Sequence, residues 1–148
     1  MPAGDRLIFV KPFGAGSPQA GDMTQSEAGY QQLTREVSTQ LRMLRSDLPG
    51  PMTGFGDLAR TAFADGALSE KAKELIALAL GIAAHCDACI GFHMKTLVRL
   101  GATKKEVEET LAVAVYMGGG PSLMYSANAL AAFAEFSAST KPQSPASA

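Results

Sequence analysis

The stretch between Glu74 and Asp87 contains no acidic side chain, lysine or arginine, and it constrains the fold more than any other feature. Its apolar part, Leu75 to Ala84, is about half the ~20 residues that a helix needs to cross a bilayer. A helix that is apolar on all sides has to be buried by other elements. The sequence therefore predicts a central helix, capped by Ser69, inside a larger helical assembly.

Helical spacing of apolar residues recurs along most of the remaining chain. It predicts an amphipathic surface helix starting at the cap Ser26 and ended by Pro49-Gly50-Pro51, with Leu33, Val37, Leu41, Leu44 and Leu48 on one side. A second helix, Met52 to Asp65, is expected to turn one side to the core, namely Phe55, Leu58, Ala59, Ala62 and Phe63.

Three further helices follow the central one. They are predicted from Cys86 to Gly101, from the capping box Thr103-Lys104-Lys105-Glu106 to the stop Gly118-Gly119-Gly120, and from Pro121 to Phe136. No stretch shows convincing two-residue alternation between hairpin signals, and only Leu7 to Val10 resembles a short strand. The predicted fold is all-α, a compact bundle of about six helices.

The 148 residues are enough for one domain with a real core. Glycine, proline and serine are dense in residues 11–22 and at the C-terminus, where packed structure is not expected. We therefore predict an irregular N-terminal segment over residues 1–25, a helical domain over residues 26–137 and a disordered tail over residues 138–148.

Composition limits the classes of partner. The net charge of −1 and the absence of like-charge blocks favour neither nucleic acid nor an anionic membrane. Only 18% of residues are charged, so a partner subunit is expected to cover some apolar surface. No signal peptide is recognisable, and a cytoplasmic location is expected. In a reducing compartment, a close cysteine pair indicates redox turnover or metal binding rather than a permanent disulfide.

Both cysteines and both histidines of the chain lie between His85 and His93. At ~100° per residue, Cys86, Cys89 and His93 fall on one narrow face of a helix, whereas His85 precedes that helix. A helix N-terminus, the Cys-x-x-Cys spacing and a nearby imidazole all favour the reactive thiolate. We therefore predict a cycling thiol pair, with His93 as the base that assists Cys89.

Glu74 lies twelve residues before Cys86, on the preceding helix. If the two helices pack antiparallel, the carboxylate of Glu74 would face His93. There it would orient the imidazole and raise the basicity of the ring. The structural alternative is a solvated charge in a first helical turn, where it favours the helix dipole.

Two other interpretations of the motif stay open. Paired cysteines on a buried helix are sometimes inert core residues. Alternatively, Cys86, Cys89, His93 and His85 could hold zinc in a binding or interaction module, although structural zinc sites usually take a second ligand pair from elsewhere in the chain.

The motif resembles the alkylhydroperoxidase D-like (AhpD-like) branch of the carboxymuconolactone decarboxylase family. The resemblance rests on Glu74, on Cys86-x-x-Cys89 and on His93, followed by Leu100-Gly101-Ala102 and Tyr116-Met117-Gly118-Gly119. It implies an all-helical trimer or hexamer with a glutamate and histidine proton relay serving the cysteine pair. It also implies a hydroperoxide or disulfide substrate and no cofactor.

The same resemblance suggests the redox partners, which are a dihydrolipoamide-bearing or similar dithiol protein as donor and a peroxiredoxin as acceptor. Peroxidase-linked members can carry a histidine directly before the second cysteine, where this chain has Ala88. Decarboxylase members generally lack the cysteine pair, so its presence here argues against lactone decarboxylation, which is kept as the alternative activity.

Overall fold

A computed structural model of the protein describes residues 29–140, and these form an all-helical fold. The helices are α1 (Tyr30–Asp47), α2 (Pro49–Phe63), α3 (Glu70–Ala83), α4 (Asp87–Arg99) and α5 (Lys104–Thr140). The predicted fold class is confirmed, because residues 29–140 contain no strand. The candidate strand Leu7 to Val10 lies outside the described residues, as do Ser26 and the last eight residues of the chain.

The predicted fifth and sixth helices are joined end to end in α5. Gly119 has φ 69° and ψ −155°, which interrupts the helical conformation. Helical structure resumes directly, with Pro121 in the first turn after the break, where a missing N–H costs no hydrogen bond. The glycine signal thus marks a sharp kink rather than a connecting loop, and residues 29–140 form five helices instead of the predicted number of about six.

The core lies where α3, α4 and α5 meet. Its fully buried side chains include Leu78, Ile82, Ile90, Met94, Leu97 and Val107. Burying each such side chain contributes about 1.5–3 kcal/mol, so this three-helix centre supplies most of the packing energy. The predicted burial of α3 holds for only part of its circumference, because Ile76 and Leu80 are exposed at 50% and 65%.

The expectation that α2 faces the core is wrong for the isolated chain. No residue of α2 is buried, and Phe55 and Leu58 are 69% and 63% exposed. The helix packs mainly on α1 and α3, and its last residue, Phe63, reaches α4, so most of its apolar side is left uncovered within residues 29–140. It also begins at Pro49 rather than Met52, since proline is well suited to a first helical position.

The start of α1 is fixed by a side chain from the other end of the domain. The two carboxylate oxygens of Glu135 accept hydrogen bonds from the backbone N–H groups of Tyr30 and Gln31, at 2.8 and 2.9 Å. A Cβ on Gly29 would lie 2.5 Å from a Glu135 oxygen, so glycine at the N-cap position gives this carboxylate room to approach the backbone. The helix therefore begins at Tyr30 and is held against α5.

Helix α5 continues to Thr140, three residues beyond the predicted end of the helical domain. None of the helices within residues 29–140 combines the length and apolarity needed to cross a membrane.

Candidate active site

The candidate site lies at the tight connection between α3 and α4. The N–H of His85 bonds to the carbonyl of Ile82 at 3.1 Å, and the N–H of Cys86 bonds to the carbonyl of Gly81 at 3.0 Å. These two bonds are the Schellman pattern that ends a helix, with His85 in the left-handed conformation at φ 55°. The connection thus delivers Cys86 directly from the end of one helix to the start of the next.

Cys86 is also the N-cap of α4. Its Sγ accepts a hydrogen bond from the N–H of Cys89 at 3.3 Å. The N-terminus of a helix carries a partial positive charge, which stabilises a thiolate at this position. The predicted start of the helix at the motif is confirmed.

Cys86 and Cys89 are joined by a disulfide, with their Cα atoms 5.3 Å apart. That separation lies within the usual range for a disulfide, so the two residues can bond without a backbone rearrangement. The prediction that this spacing lets the two sulfurs meet is confirmed. Their turnover between disulfide and dithiol stays a prediction.

Helix α3 packs closely against the second cysteine. A Cβ added to Gly81 would lie 3.2 Å from the Cβ of Cys89, closer than most side-chain contacts. Glu74 lies seven residues before Gly81, which places both on one side of α3. The side of α3 that carries Glu74 is therefore the side that faces the motif.

Glu74 and His93 form the second pair of the site. The Oε2 atom of Glu74 lies 2.7 Å from Nδ1 of His93, and Glu74 is only 7% exposed. Because a carboxylate only accepts hydrogen bonds, Nδ1 is the donor, and Nε2 is the nitrogen left for proton exchange. The predicted contact between these two residues is present, and the alternative of a solvated Glu74 does not hold.

Phe63, the last residue of α2, covers the imidazole of His93. The two rings stack with centroids 5.8 Å apart and planes inclined by 23°. The sequence pattern placed Phe63 among core-facing residues and gave no signal for this contact. The stacking partner depends on how α2 returns towards α4, which helical periodicity does not specify.

Tyr30 holds the first residue of α4. Its hydroxyl donates a 2.7 Å hydrogen bond to Oδ1 of Asp87, the residue after Cys86. Burial, and next the hydrogen bond to Asp87, raise the pKa of Tyr30 far above its usual value of 10.0, so the phenol stays a donor. The close approach of α1 is possible because Gly91 has no side chain, since a Cβ there would lie 2.8 Å from Thr34.

His85 stacks on Tyr125 from α5, with ring centroids 4.8 Å apart and an interplanar angle of 16°. The sequence gives no signal for this contact, because forty positions separate the two residues. Tyr116, the first residue of the Tyr116-Met117-Gly118-Gly119 motif, is 86% exposed.

The predicted site residues therefore occur as two joined pairs on neighbouring turns. Cys86 is bonded to Cys89, and Glu74 is hydrogen-bonded to His93, which follows Cys89 by one turn of α4. The four residues considered as zinc ligands do not form a cluster suited to a metal ion within residues 29–140. A disulfide and a carboxylate–imidazole pair so arranged can exchange electrons and protons at one place.

Known proteins of similar sequence and structure identify the family of this chain. The model of the carboxymuconolactone decarboxylase family matches residues 49–132. An uncharacterised protein from Cupriavidus necator is 40% identical over 98 residues, which are 66% of this chain and 87% of that protein. A second uncharacterised protein, from the cox locus of Paracoccus denitrificans, is 38% identical over 81 residues, covering 55% of this chain and 73% of its own.

A solved structure shows the same fold. It is the apo crystal structure of a carboxymuconolactone decarboxylase family protein from Legionella pneumophila, which matches with a TM-score of 0.72 and 57% sequence identity. The match covers 73% of this chain and 96% of the Legionella chain. Because the family model spans more than half of the sequence, the chain belongs to the carboxymuconolactone decarboxylase family.

Proposed function

We propose that this protein is a thiol-dependent antioxidant oxidoreductase of the AhpD-like type, which reduces hydroperoxides or disulfides through its cysteine pair. One observation carries the proposal: the Glu74–His93 pair lies one helical turn from cysteines that are already joined. A structural disulfide needs no proton relay beside it, whereas a cycling one does.

The oxidative half of the cycle assigns a role to each residue. In the dithiol form, His93 takes the proton of Cys89, and the thiolate attacks the terminal oxygen of the hydroperoxide. The O–O bond breaks, the alcohol leaves with the proton from His93, and Cys89 becomes a sulfenic acid. Cys86 then loses its proton and attacks that sulfur as a thiolate, the hydroxide takes up this proton and leaves as water, and the disulfide forms, so two electrons have passed to the peroxide.

Glu74 acts through His93 rather than on the substrate. Its carboxylate fixes the ring with Nε2 directed away from the carboxylate, and it stabilises the imidazolium that forms when Cys89 loses its proton. A dithiol protein, of the dihydrolipoamide-bearing or a similar class, restores the reduced pair in this scheme, and a peroxiredoxin is the proposed acceptor. A cytoplasmic location follows from the need for such reductants.

In this proposal the protein is a homo-oligomer, either a trimer or a hexamer. Large apolar side chains are exposed on the second half of α1 and on α2, namely Leu41, Met43, Leu44, Leu48, Phe55 and Leu58. So many exposed large apolar side chains on two adjacent helices are unusual for a monomer and are typical of a subunit interface. A second copy of the chain is the proposed cover, and it would also hold α2, and with it Phe63, against His93.

The test is a thiol titration before and after peroxide, with mass spectrometry to locate the Cys86–Cys89 bond. We expect peroxide to consume two thiols, Cys89→Ser to abolish peroxide-driven dithiol oxidation, and His93→Ala to slow it greatly. Unchanged rates in both variants would exclude the mechanism. Conversion of a carboxylated lactone by a protein with both cysteines replaced by serine would instead favour decarboxylation.

A further inference from the structure

Helix α1 has a cationic side that takes no part in the candidate active site. At ~100° per residue, Arg35, Arg42 and Arg45 lie on one side of the helix, whereas its two acidic residues, Glu36 and Asp47, lie on another. None of the three arginines forms an ion pair within residues 29–140. In a chain with a net charge of −1, this side of α1 therefore carries positive charge that no acid of its own helix offsets.

Lys95 of α4 shares a cleft of about 410 Å³ with this side of α1. It follows Gly91 by one turn, and Gly91 is where α4 approaches α1, since a Cβ there would meet Thr34. Lys95 also forms no ion pair in the part of the chain that the structure describes. The lining of this α1–α4 cleft contains three cations and no acid, namely Thr34, Arg35, Ser38, Thr39, Arg42 and Lys95.

A smaller cavity of about 180 Å³ extends the α1–α4 cleft to the end of α5. It shares three lining residues with the cleft and adds three uncharged ones, Gln31, Phe136 and Ser139. The acid next to Phe136 in sequence is Glu135, and both of its carboxylate oxygens accept backbone N–H groups at the start of α1. No acidic side chain that lines either space therefore compensates the charge of the three cations.

The hydroxyl groups of the cleft bond to the helix itself, which leaves the cations as donors for a ligand. Ser38 and Thr39 donate to carbonyl groups one turn earlier in α1, at 2.6 and 3.0 Å. Arg42 donates a 2.9 Å hydrogen bond to Oγ1 of Thr39, which lies between Arg42 and Arg35 along the helix. This contact holds the guanidinium of Arg42 on the Arg35 side of its own position.

We propose that the α1–α4 cleft binds a diphosphate group, either as free pyrophosphate or as part of a nucleoside diphosphate. Arginine and lysine are the side chains that bind phosphate, and arginine does so with two parallel hydrogen bonds. Arg35 and Arg42 are seven residues apart, about 10 Å along the helix, so two linked phosphates suit them better than one. The volume of the cleft also falls within the range of about 300–1,000 Å³ that is usual for small-molecule sites.

Charge favours a diphosphate over other anions. A phosphate ester carries about −1.5 to −2 charges at neutral pH, so two linked phosphates offset three cations, whereas a single carboxylate leaves two of them uncompensated. A segment of an acidic protein fits less well, because the three cations line one cleft of small-molecule size.

The proposed binding is independent of the cysteine chemistry. The cleft lies on the side of α4 that faces α1, whereas Cys89 contacts α3 near Gly81 and His93 is bonded to Glu74 of α3. A ligand in the cleft would join α1 to α4. Because it binds the folded chain and not the unfolded one, it should also raise the temperature of unfolding.

The test is calorimetric titration of the full-length protein with sodium pyrophosphate, with thermal unfolding in the same solutions as the second readout. We expect Arg35→Gln and Lys95→Gln each to weaken pyrophosphate binding about tenfold or more, since each removes a hydrogen bond between charged groups. Both side chains are exposed, so without ligand the variants should unfold at the wild-type temperature.

Lys105→Gln is the matched control, because it removes an exposed cation that already has a partner in Glu109 on α5. It should bind pyrophosphate as wild type does. If Lys105→Gln weakened binding as much as Lys95→Gln, or if sodium chloride of equal ionic strength raised the unfolding temperature equally, the surface would attract anions without a site. Either result would overturn the proposal.

Two further probes identify the source of the diphosphate. Tighter binding of ADP than of pyrophosphate would support a nucleoside diphosphate as the ligand, and equal or weaker binding would support the free diphosphate. Binding of a polyglutamate peptide without binding of either small molecule would indicate an acidic protein partner and would overturn the proposal. Absence of binding by wild-type protein to all three probes would also overturn it.

Discussion

Glu74 and His93, nineteen positions apart, place a carboxylate oxygen 2.7 Å from an imidazole nitrogen between α3 and α4. The same two helices are also joined by an ion pair, in which the carboxylate of Glu70 lies 3.0 Å from the guanidinium of Arg99. The first pair is largely buried beside the cysteines, and the second is exposed at the opposite end of the helix hairpin. This difference makes Glu70 a matched control for Glu74.

Replacing Glu74 with glutamine should slow peroxide-driven dithiol oxidation by about 100-fold, within the range that positioned acid–base groups contribute. An amide keeps the size of the side chain but does not stabilise the imidazolium of His93. The measurement is steady-state turnover with a saturating dithiol, together with circular dichroism to verify folding.

Glu70→Gln removes a carboxylate from the same helix without touching the site. Exposed ion pairs contribute about 0–1 kcal/mol, so turnover of this control should stay within about twofold of wild type. Equal losses in the two variants would mean that Glu74 acts only by holding α3 and α4 together.

Much of the site was predictable because its core is local. The turn of the helix places Cys86, Cys89 and His93 on one face whatever the rest of the fold does. The contact of Glu74 with His93 was also predictable, since a short connection between two helices makes them pack side by side. The residues that the sequence did not connect, Phe63 with His93 and Tyr30 with Asp87, meet only through the placement of α1 and α2.

In the fold, too, features set by neighbouring residues were predictable, and features set by contacts distant in sequence were not. An apolar side on α2 was evident from residue spacing, but the pattern does not specify whether the same chain or another one covers it. Likewise, the three glycines before Pro121 predicted a break in the helix. The direction in which the chain continues depends on the φ and ψ angles of Gly119, which composition alone does not give.

Charges introduced on the apolar side of α2 should reduce the assembly size. We expect Phe55→Glu with Leu58→Glu to lower the mass measured by sedimentation, because two buried carboxylates would oppose association. Thr53→Glu is the control, since Thr53 lies on the opposite side of the helix at ~100° per residue. A wild-type protein that sediments as a monomer would contradict the proposed oligomer.

Gly91 should be intolerant of a methyl group. A Cβ there would lie 2.8 Å from Cγ2 of Thr34 and 3.1 Å from the ring of Tyr30. Gly91→Ala should therefore lower the free energy of unfolding by about 1–3 kcal/mol, the usual cost of overpacking. Urea denaturation measures this change.

Gly54→Ala provides the contrast, because Gly54 lies inside α2 with nothing within 4 Å of the added Cβ. Alanine favours a helix interior by about 0.5–1 kcal/mol over glycine, so this variant should be slightly more stable than wild type. If both alanine variants lost stability equally, the contact of α1 with α4 at Gly91 would not be the cause.

The capping box at the start of α5 should make stability depend on acid pH. Glu106 accepts hydrogen bonds from the N–H and hydroxyl of Thr103, at 2.7 and 3.0 Å, and lies 2.7 Å from the ammonium of Lys71. The contact with Lys71, and next the bonds from Thr103, lower the pKa of Glu106 from 4.5 to about 2.

A carboxyl whose pKa is lower in the folded state stabilises the fold above its unfolded pKa and loses this contribution as the pH falls. For Glu106 the loss should run from about pH 4.5 down to about pH 2. The variant Glu106→Gln should therefore be less stable than wild type at pH 7, and urea denaturation at several pH values should show the two converging towards pH 2. Glu109→Gln, on the same helix with an exposed partner in Lys105, should show a smaller difference at every pH. A gap between wild type and Glu106→Gln that stayed constant from pH 7 to pH 2 would mean that the side chain stabilises α5 by its shape rather than by its charge.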